Sequence, residues 1–146
     1  MPDLNRILSA TSPLTLASVA RGAQPLVMSD LARAAKGRAV FIVPDEAAMR
    51  SVADAAGFFA PELEVIEFPA WDCLPYDRAS PALSVSARRL SALHRLQTGK
   101  DRPQLLVTTV NAVLQRVLTP FRVRESVREF KPGTTIGHNT LSTLLQ

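Results

Sequence analysis

The stretch Ala39–Val43 (AVFIV), followed at once by Pro44 and Asp45, is the segment that decides the fold class. A short, continuously apolar run that ends at a turn-forming pair is typical of a strand covered on both faces, as in a parallel sheet. Leu105–Val110 (LLVTTV) has the same character and predicts a second strand of this kind.

Two further segments are predicted to be strands. Pro13–Ala20 (PLTLASVA) comes first along the chain and has the weakest pattern. Leu63–Phe68 (LEVIEF) alternates between apolar and polar residues, which predicts a strand nearer the edge of the sheet.

Helices are predicted between these strands. Ser29–Ala35 is alanine-rich and stops before Gly37, while Asp45–Ala56 begins with an acidic pair and ends at Gly57. Asn111 is expected to cap a short helix that runs to Val117.

Leu83–Gln97 is the strongest helix prediction, because its apolar and polar residues separate on a helical wheel. The apolar face carries Leu83, Ala87, Leu90 and Leu93, and the polar face carries Ser84, Arg88, Ser91 and Arg95.

Alternation of strand and helix predicts an α/β fold, a doubly wound parallel sheet with helices on both faces. The strand order does not follow from this pattern.

We predict a domain boundary near Thr119-Pro120, so that residues 1–120 form one domain and residues 121–146 begin a small α+β domain. In the second part, Phe121–Phe130 (FRVRESVREF) is at best a one-sided strand, and Asn139–Gln146 begins a helix and stops within it, as expected of a fragment.

Composition sets broad limits on function. The 146 residues carry a formal net charge of +4, which permits an acidic partner or nucleic acid but requires neither. No apolar run approaches the roughly 20 residues that a membrane span needs, and no secretory signal is visible. The single cysteine, Cys73, fits a reducing cytoplasm.

A phosphate-binding loop of the form G-x-x-x-x-G-K-[ST] would be expected after the first strand of such a sheet. Here Gly22 and Ser29 have the required spacing, but Val27 replaces the second glycine and Met28 replaces the lysine. Losing the flexible backbone and the positive charge should abolish useful triphosphate binding. A chance match in an ordinary loop from strand to helix is the alternative.

No other residues predict catalysis or metal binding. His94 falls on or beside the apolar face of its helix, where a packed histidine is the simpler interpretation, and His138 is expected to be solvated in a turn. Cys73 has no cysteine or histidine near it in sequence, and Asp45-Glu46 is best explained as a charged first helical turn.

The segment Phe68–Pro81 (FPAWDCLPYDRASP) predicts a stiff, extended loop anchored by Trp71 and Tyr76. Proline excludes helix and central strand over most of this segment. The three prolines are Pro69, Pro75 and Pro81.

This loop resembles the F-P-x-W-[DE]-x-L-P-Y-D-x-x-S-P stretch in the N-terminal region of the transcription-repair coupling factor (Mfd) family. Ala87–Leu93 is similar to the family's R-L-x-x-L helix, and Leu106–Val117 to its strand and helix ending in L-[MQ]-x-[RK]-V. The resemblance extends from about Pro13 to Gln146. The loop residues that carry it are Trp71, Pro75, Tyr76, Asp77 and Pro81.

The resemblance implies a RecA-like domain similar to domain 1 of the excinuclease B subunit, with a decayed phosphate loop, in line with Val27 and Met28. It implies that a small domain, beginning near Val123, binds the excinuclease A subunit mainly through residues beyond Gln146. This segment would then be a cytoplasmic, non-catalytic adaptor without a cofactor. The full-length family displaces RNA polymerase stalled at DNA lesions and translocates on double-stranded DNA, with ATP and Mg²⁺ in a downstream motor.

Two other functions compete with the adaptor. An ATP-binding half-domain of a helicase would require a lysine near position 28, and the sequence has none there. A DNA-binding module would use a patch of scattered arginines, although such residues more often form a solvated face. These arginines are Arg88, Arg95, Arg116, Arg122, Arg124 and Arg128.

Overall fold

The computed structural model describes residues 3–73, 80–99, 102–128, 130–133, 135–138 and 142. These residues form an α/β structure with a three-stranded parallel sheet, which confirms the α/β part of the predicted fold class. No helix among them is long and apolar enough to cross a membrane. In chain order the elements are α1 (Leu4–Leu8), a 3₁₀ turn (Arg21–Ala23), α2 (Gln24–Ala35), β1 (Arg38–Val43), α3 (Glu46–Phe59), β2 (Glu64–Phe68), α4 (Leu83–Thr98), β3 (Gln104–Thr109), α5 (Val110–Leu114) and α6 (Pro120–Ser126).

The three strands form one parallel sheet in the order β1-β3-β2. Val40 of β1 and Ile66 of β2 both pair with Leu106 of the central strand. The strands predicted at Ala39–Val43 and Leu105–Val110 are therefore confirmed to within a residue or two, and β2 is an edge strand as its alternating pattern predicted.

One face of the sheet is covered by α2 and α3. Asp45 caps α3 by accepting a hydrogen bond from the N–H of Ala48 at 2.8 Å, and Glu46 lies in the first turn as predicted. Apolar side chains at helical spacing then pack against alternate residues of the strands. This larger core consists of Ala32, Val43, Met49, Val52, Ala56, Ala60, Leu63, Leu105 and Val107.

The other face is covered only in part. Ile66, Phe68, Ala92 and Ala112 form a smaller core between the sheet and the helices α4 and α5. The helices α4 and α5 contact β2 and β3, respectively, whereas Val40 and Ile42 of β1 remain 50% and 48% exposed. The expectation that β1 is covered on both faces is wrong, because its continuous apolar run does not show how far the neighbouring helices extend.

Several predicted element boundaries are wrong. Pro13–Ala20 is not a strand; it is irregular and mostly exposed. The second helix begins at Gln24, five residues before the predicted start, with Pro25 in its first turn, where the missing N–H of proline costs little. The third helix passes through Gly57 to Phe59, because a single helical glycine costs only about 1 kcal/mol.

The helix α5 begins at Val110 and ends at Leu114, so Asn111 is not its cap and Val117 lies outside it. Thr109 caps it instead, and its Oγ1 accepts a hydrogen bond from the N–H of Ala112 at 3.2 Å. The strand β3 thus passes directly into the helix.

The helix α4 has the predicted length, but it buries a different face. Its buried residues are Arg89 and Ala92, whereas Leu83 is 87% exposed. A helical wheel counts arginine as polar, so it could not identify Arg89 as a core residue.

The segment predicted as a one-sided strand at Phe121–Phe130 is instead helical over Pro120–Ser126. Val123 is fully buried where this helix packs against α4, while Phe121 is 65% exposed. The boundary near position 120 stays a prediction. The predicted helix at Asn139–Gln146 lies outside the described residues, apart from Ser142.

The first residues of the three strands form one polar row, since Arg38 and Glu64 both pair in register with Gln104. The Gln104 side chain is almost completely buried. Its Oε1 accepts hydrogen bonds from Nε and Nη2 of Arg38 at 2.9 and 2.6 Å, and its Nε2 donates to Oε2 of Glu64 at 2.8 Å. Both ends of this buried amide are therefore satisfied by the neighbouring strands.

The same row holds the end of α4. Arg95 donates to Oε1 of Glu64 at 2.9 Å and to the carbonyl of Val65 at 3.0 Å, and Arg38 donates to the carbonyl of Leu96 at 2.6 Å. The helix ends at Thr98, and at Gly99, which caps it, a Cβ atom would collide with the side chains of Gln104 and Glu64. A glycine is needed here because the polar row approaches the backbone closely.

We expect Gly99→Ala to lower the free energy of unfolding by about 1–3 kcal/mol, because Gln104 must move and its buried hydrogen bonds weaken. Gly57→Ala is the matched control: nothing lies within 4 Å of its added Cβ, and alanine favours the helix by up to about 1 kcal/mol. Urea unfolding of both variants measures the difference. Equal stabilities would show that the row does not restrain position 99.

Glu64 should make stability depend on acid pH. Partial burial works to raise the pKa of Glu64, but hydrogen bonds from Gln104 and Arg95 outweigh it and hold the pKa below its ordinary value of 4.5. Its contribution is therefore complete above the ordinary pKa and lost as the pH falls through the lowered one. Melting temperatures measured from pH 7 down to acid should fall less steeply below the ordinary pKa in Glu64→Gln than in the parent. Asp54→Asn, which changes an exposed carboxylate of α3, should keep the parent slope.

Candidate functional site

A cleft of about 680 Å³ lies at the carboxyl end of β1. One wall comes from the residues around Arg21, Gly22 and Gln24, where α2 begins, and the other from α3, including Asp45 and Ser51. Ligands of parallel α/β sheets commonly bind beyond the carboxyl ends of the strands, so the cleft has the usual location of a binding site.

The residues predicted as a degenerate phosphate loop are divided by the structure. Gly22 lines the cleft, but Val27, Met28 and Ser29 lie within α2 and not in a loop. Val27 is buried, and Met28 packs against the larger core. The Ser29 hydroxyl is fully buried and donates to the carbonyl of Pro25 at 2.8 Å. The side chains of these three residues therefore do not line the cleft.

The remaining polar groups of the cleft give it limited chemistry. Arg21 is the basic residue among those that line it. The carboxylate of Asp45 is engaged in capping α3. The rest of the lining is largely apolar and includes Phe41, Ile42 and Val43 of β1.

A second cluster lies where the predicted family loop leaves β2. The guanidinium carbon of Arg89 lies 4.3 Å from the ring centroids of both Phe68 and Trp71. A cation held between two aromatic rings is attracted to both faces, and the attraction grows as water is excluded. Trp71, itself partly buried, is thus held against the fold by a residue of α4.

Hydrogen bonds complete this cluster. Arg89 donates to the carbonyl of Pro69 at 2.6 Å and to Oε1 of Gln115 at 3.1 Å. The same Gln115 oxygen accepts the backbone N–H of Trp71 at 2.8 Å. Burial lowers the pKa of Arg89, in the direction expected for a desolvated cation.

The two ends of the family loop are tied together. The carboxylate of Asp72 accepts the N–H of Ala82 at 3.2 and 3.3 Å, which joins the residue after Trp71 to the residue after the partly buried Pro81. Of the predicted loop residues, Trp71 and Pro81 are described. Pro75, Tyr76 and Asp77 lie outside the described residues.

The other candidate residues do not come together as a site. His94 is partly buried, as predicted for a packed histidine, and His138 is exposed. Cys73 is a free, partly buried thiol. Within the described ranges, no three His, Cys, Asp or Glu side chains are grouped so that they could hold a metal ion.

With carboxylates of the described residues, three of the six scattered arginines form ion pairs. Arg88 pairs with Glu67 at 3.1 Å, Arg95 with Glu64 at 2.9 Å and Arg122 with Glu125 at 3.3 Å. Arg124 donates to the side chain of Gln97, and Arg128 to backbone carbonyls. These partners make the arginines less available as a continuous patch for phosphates.

Sequence reasoning missed Arg89, Gln115 and Asp72 as structural anchors. Arg89 and Gln115 nevertheless lie in the two segments that resembled the family beside the loop, Ala87–Leu93 and Leu106–Val117. Their order along the chain gave no sign that they meet at Trp71, because that contact spans up to 44 residues of sequence.

No protein-family model matches the sequence. Curated proteins similar to it are named transcription-repair-coupling factor. Those of Haemophilus influenzae and Escherichia coli are 30% identical over 118 residues and 28% identical over 119 residues, which is 81% and 82% of this chain. That of Rickettsia bellii is 27% identical over 88 residues, or 60% of the chain.

These similarities confirm the resemblance to transcription-repair coupling factors that the loop sequence predicted. The chain spans about a tenth of the length of these relatives: 10%, 10% and 8%. The relation is thus to one segment of them.

We expect Arg89→Lys to destabilise the chain by about 2–3 kcal/mol, since an ammonium cannot stack as a plane between Phe68 and Trp71 while bonding Pro69 and Gln115. Arg88→Lys is the matched control: the same change one residue earlier, at an exposed ion pair, should cost less than about 1 kcal/mol. Urea unfolding, monitored by circular dichroism, compares the two. A cost for Arg89→Lys no larger than that of its neighbour would contradict the role given to the cluster.

Proposed function

We propose that this chain, related to one segment of the transcription-repair-coupling factors, is a non-catalytic adaptor and scaffold module. In this proposal it descends from a RecA-like nucleotide-binding domain similar to that of the excinuclease B subunit. It supports a neighbouring small domain that recruits the excinuclease A subunit, and it does not hydrolyse ATP itself.

The proposal that the chain does not hydrolyse ATP is supported by the placement of Val27, Met28 and Ser29 in the structure. At these positions a working phosphate loop has glycine, lysine and a metal-binding hydroxyl. Here the first two side chains contribute to apolar packing, and the hydroxyl is used within its own helix. A lysine at position 28 would have to leave the core, so the packing itself favours a structural role for this helix.

The cleft at the carboxyl end of β1 supports the proposed origin. It lies where a nucleotide would bind in such a fold, beside Gly22, the glycine with phosphate-loop spacing. The parallel order β1-β3-β2 is compatible with part of a RecA-like sheet.

The wider role is proposed from the relatives. Their name states that they couple transcription to repair. For a full-length protein of this kind we propose contacts with RNA polymerase and double-stranded DNA, and an ATP- and Mg²⁺-dependent motor outside the segment matched here. The small domain is proposed to begin near residue 121.

A DNA-binding role for the scattered arginines has weaker support. Arg88, Arg95 and Arg122 are engaged with carboxylates, which must be displaced before they could contact phosphates. The paired state of these arginines therefore favours the adaptor function over DNA binding.

The proposal can be tested by a chimera of the Escherichia coli relative in which this chain replaces the matching segment. We expect the chimera to bind purified Escherichia coli excinuclease A within about threefold of the native affinity, measured by calorimetric titration, since less than about 1 kcal/mol would be lost. The isolated chain is expected to show no ATP turnover in a phosphate-release assay.

The control is the same chimera carrying Arg89→Lys, which should melt at a lower temperature and bind more weakly. A chimera that melts cooperatively at the native temperature and yet fails to bind excinuclease A would refute the scaffold role. ATP turnover by the isolated chain would refute its non-catalytic character.

A further inference from the structure

A second cavity, of about 320 Å³, lies between α4, residues 116–118 and the end of α6. Its walls are mainly apolar and come from Leu90, Leu93, Val117 and Leu118. The indole of Trp71 closes one side. This volume is at the low end for a ligand site and is suited to one or two bulky side chains.

The cavity is accessible from outside. Val117 and Leu118 are 54% and 50% exposed, and Arg116 beside them is also exposed. By contrast, Arg89 at the base is held by Pro69 and Gln115. The base of the cavity is therefore held in place, and its apolar walls at Val117 and Leu118 lie open to water.

The segment that forms one side of this opening carries positive charge. Residues 116–128 contain four arginines and one glutamate. Arg116 lines the cavity, and Arg122 shares the single glutamate of this stretch, Glu125, at 3.3 Å. Ser86 and Ser126 are the uncharged polar residues of the lining. The site thus combines an apolar pocket with one exposed basic residue, Arg116, at its edge.

We propose that this pocket is a docking site for an acidic peptide segment of a partner protein, which inserts one bulky apolar side chain between α4 and residues 116–118. The apolar walls would take the anchor, and Arg116 at the edge of the cavity would attract the acidic residues that flank it. This inference does not depend on recruitment of excinuclease A.

A peptide fits this surface better than nucleic acid. A phosphate backbone would satisfy Arg116 but would leave the pocket formed by Leu90, Leu93, Val117 and Leu118 exposed to water. An amphipathic peptide satisfies both parts of the surface at once.

Trp71 provides a direct readout, because it is the only tryptophan of the chain and it lines the pocket. The probe is a short synthetic peptide with one central leucine flanked by glutamate and aspartate. We expect saturable changes in Trp71 fluorescence on titration. The same peptide with alanine for leucine, or with lysine for the acidic residues, should bind at least about tenfold more weakly, since it lacks the anchor or the charge.

Two variants of the chain distinguish the contribution of the apolar walls to binding from that of Arg116. Leu118→Glu should abolish binding by placing a carboxylate in the apolar wall, and Arg116→Glu should weaken it by about three- to tenfold, with the largest effect at low salt. Arg50→Glu, on the exposed side of α3, is the matched charge reversal and should bind like the parent. Melting curves confirm that each variant is folded.

The proposal is overturned if the leucine and alanine peptides bind equally, or if Arg50→Glu weakens binding as much as Arg116→Glu. It is also overturned if a DNA oligonucleotide, titrated with the same Trp71 fluorescence readout, binds more tightly than the leucine peptide and its affinity falls steeply with salt. In that case Arg116 and the segment around it would belong to a nucleic-acid surface.

Discussion

The guanidinium of Arg89, enclosed between the rings of Phe68 and Trp71, is the interaction on which one half of this structure depends. A buried cation is stable only when its hydrogen-bonding and electrostatic needs are met. Here the carbonyl of Pro69 and the side chain of Gln115 contribute, so β2, the loop after it, α4 and the segment after α5 are joined at one point. This contact determines which face of α4 is buried against the sheet.

A second polar group secures the opposite end of the sheet. Gln104, at the start of the central strand, bonds Arg38 and Glu64 on the two edge strands, and Arg95 brings in α4. The apolar core lies between these two ends, so α4 is fixed by polar contacts at its middle, through Arg89, and near its carboxyl end, through Arg95. Directional hydrogen bonds set the register and orientation, to which apolar packing alone is less sensitive.

This arrangement leaves two concave regions with different character. The cleft beside Gly22 lies beyond the carboxyl end of β1, where ligands of parallel sheets commonly bind, but the nearby Met28 and Ser29 are used for packing and for a hydrogen bond within α2. The pocket beside Trp71 instead combines open apolar walls with one exposed arginine, Arg116, at its edge. These two features are the basis on which we propose a scaffold that holds other proteins rather than an enzyme.

The sequence by itself determined the parallel α/β class, the positions of the three strands and the edge position of β2, because continuous and alternating apolar runs are local properties. It also determined the family resemblance, through the loop that contains Trp71. It failed for the strand expected at Pro13–Ala20, the buried face of α4 and the helix that begins at Pro120. Only the tertiary structure decided these points, since burial of Arg89 and Val123 depends on partners distant in sequence. The same reason explains why Arg89 and Gln115 could be recognised as anchors only after folding brought them to Trp71.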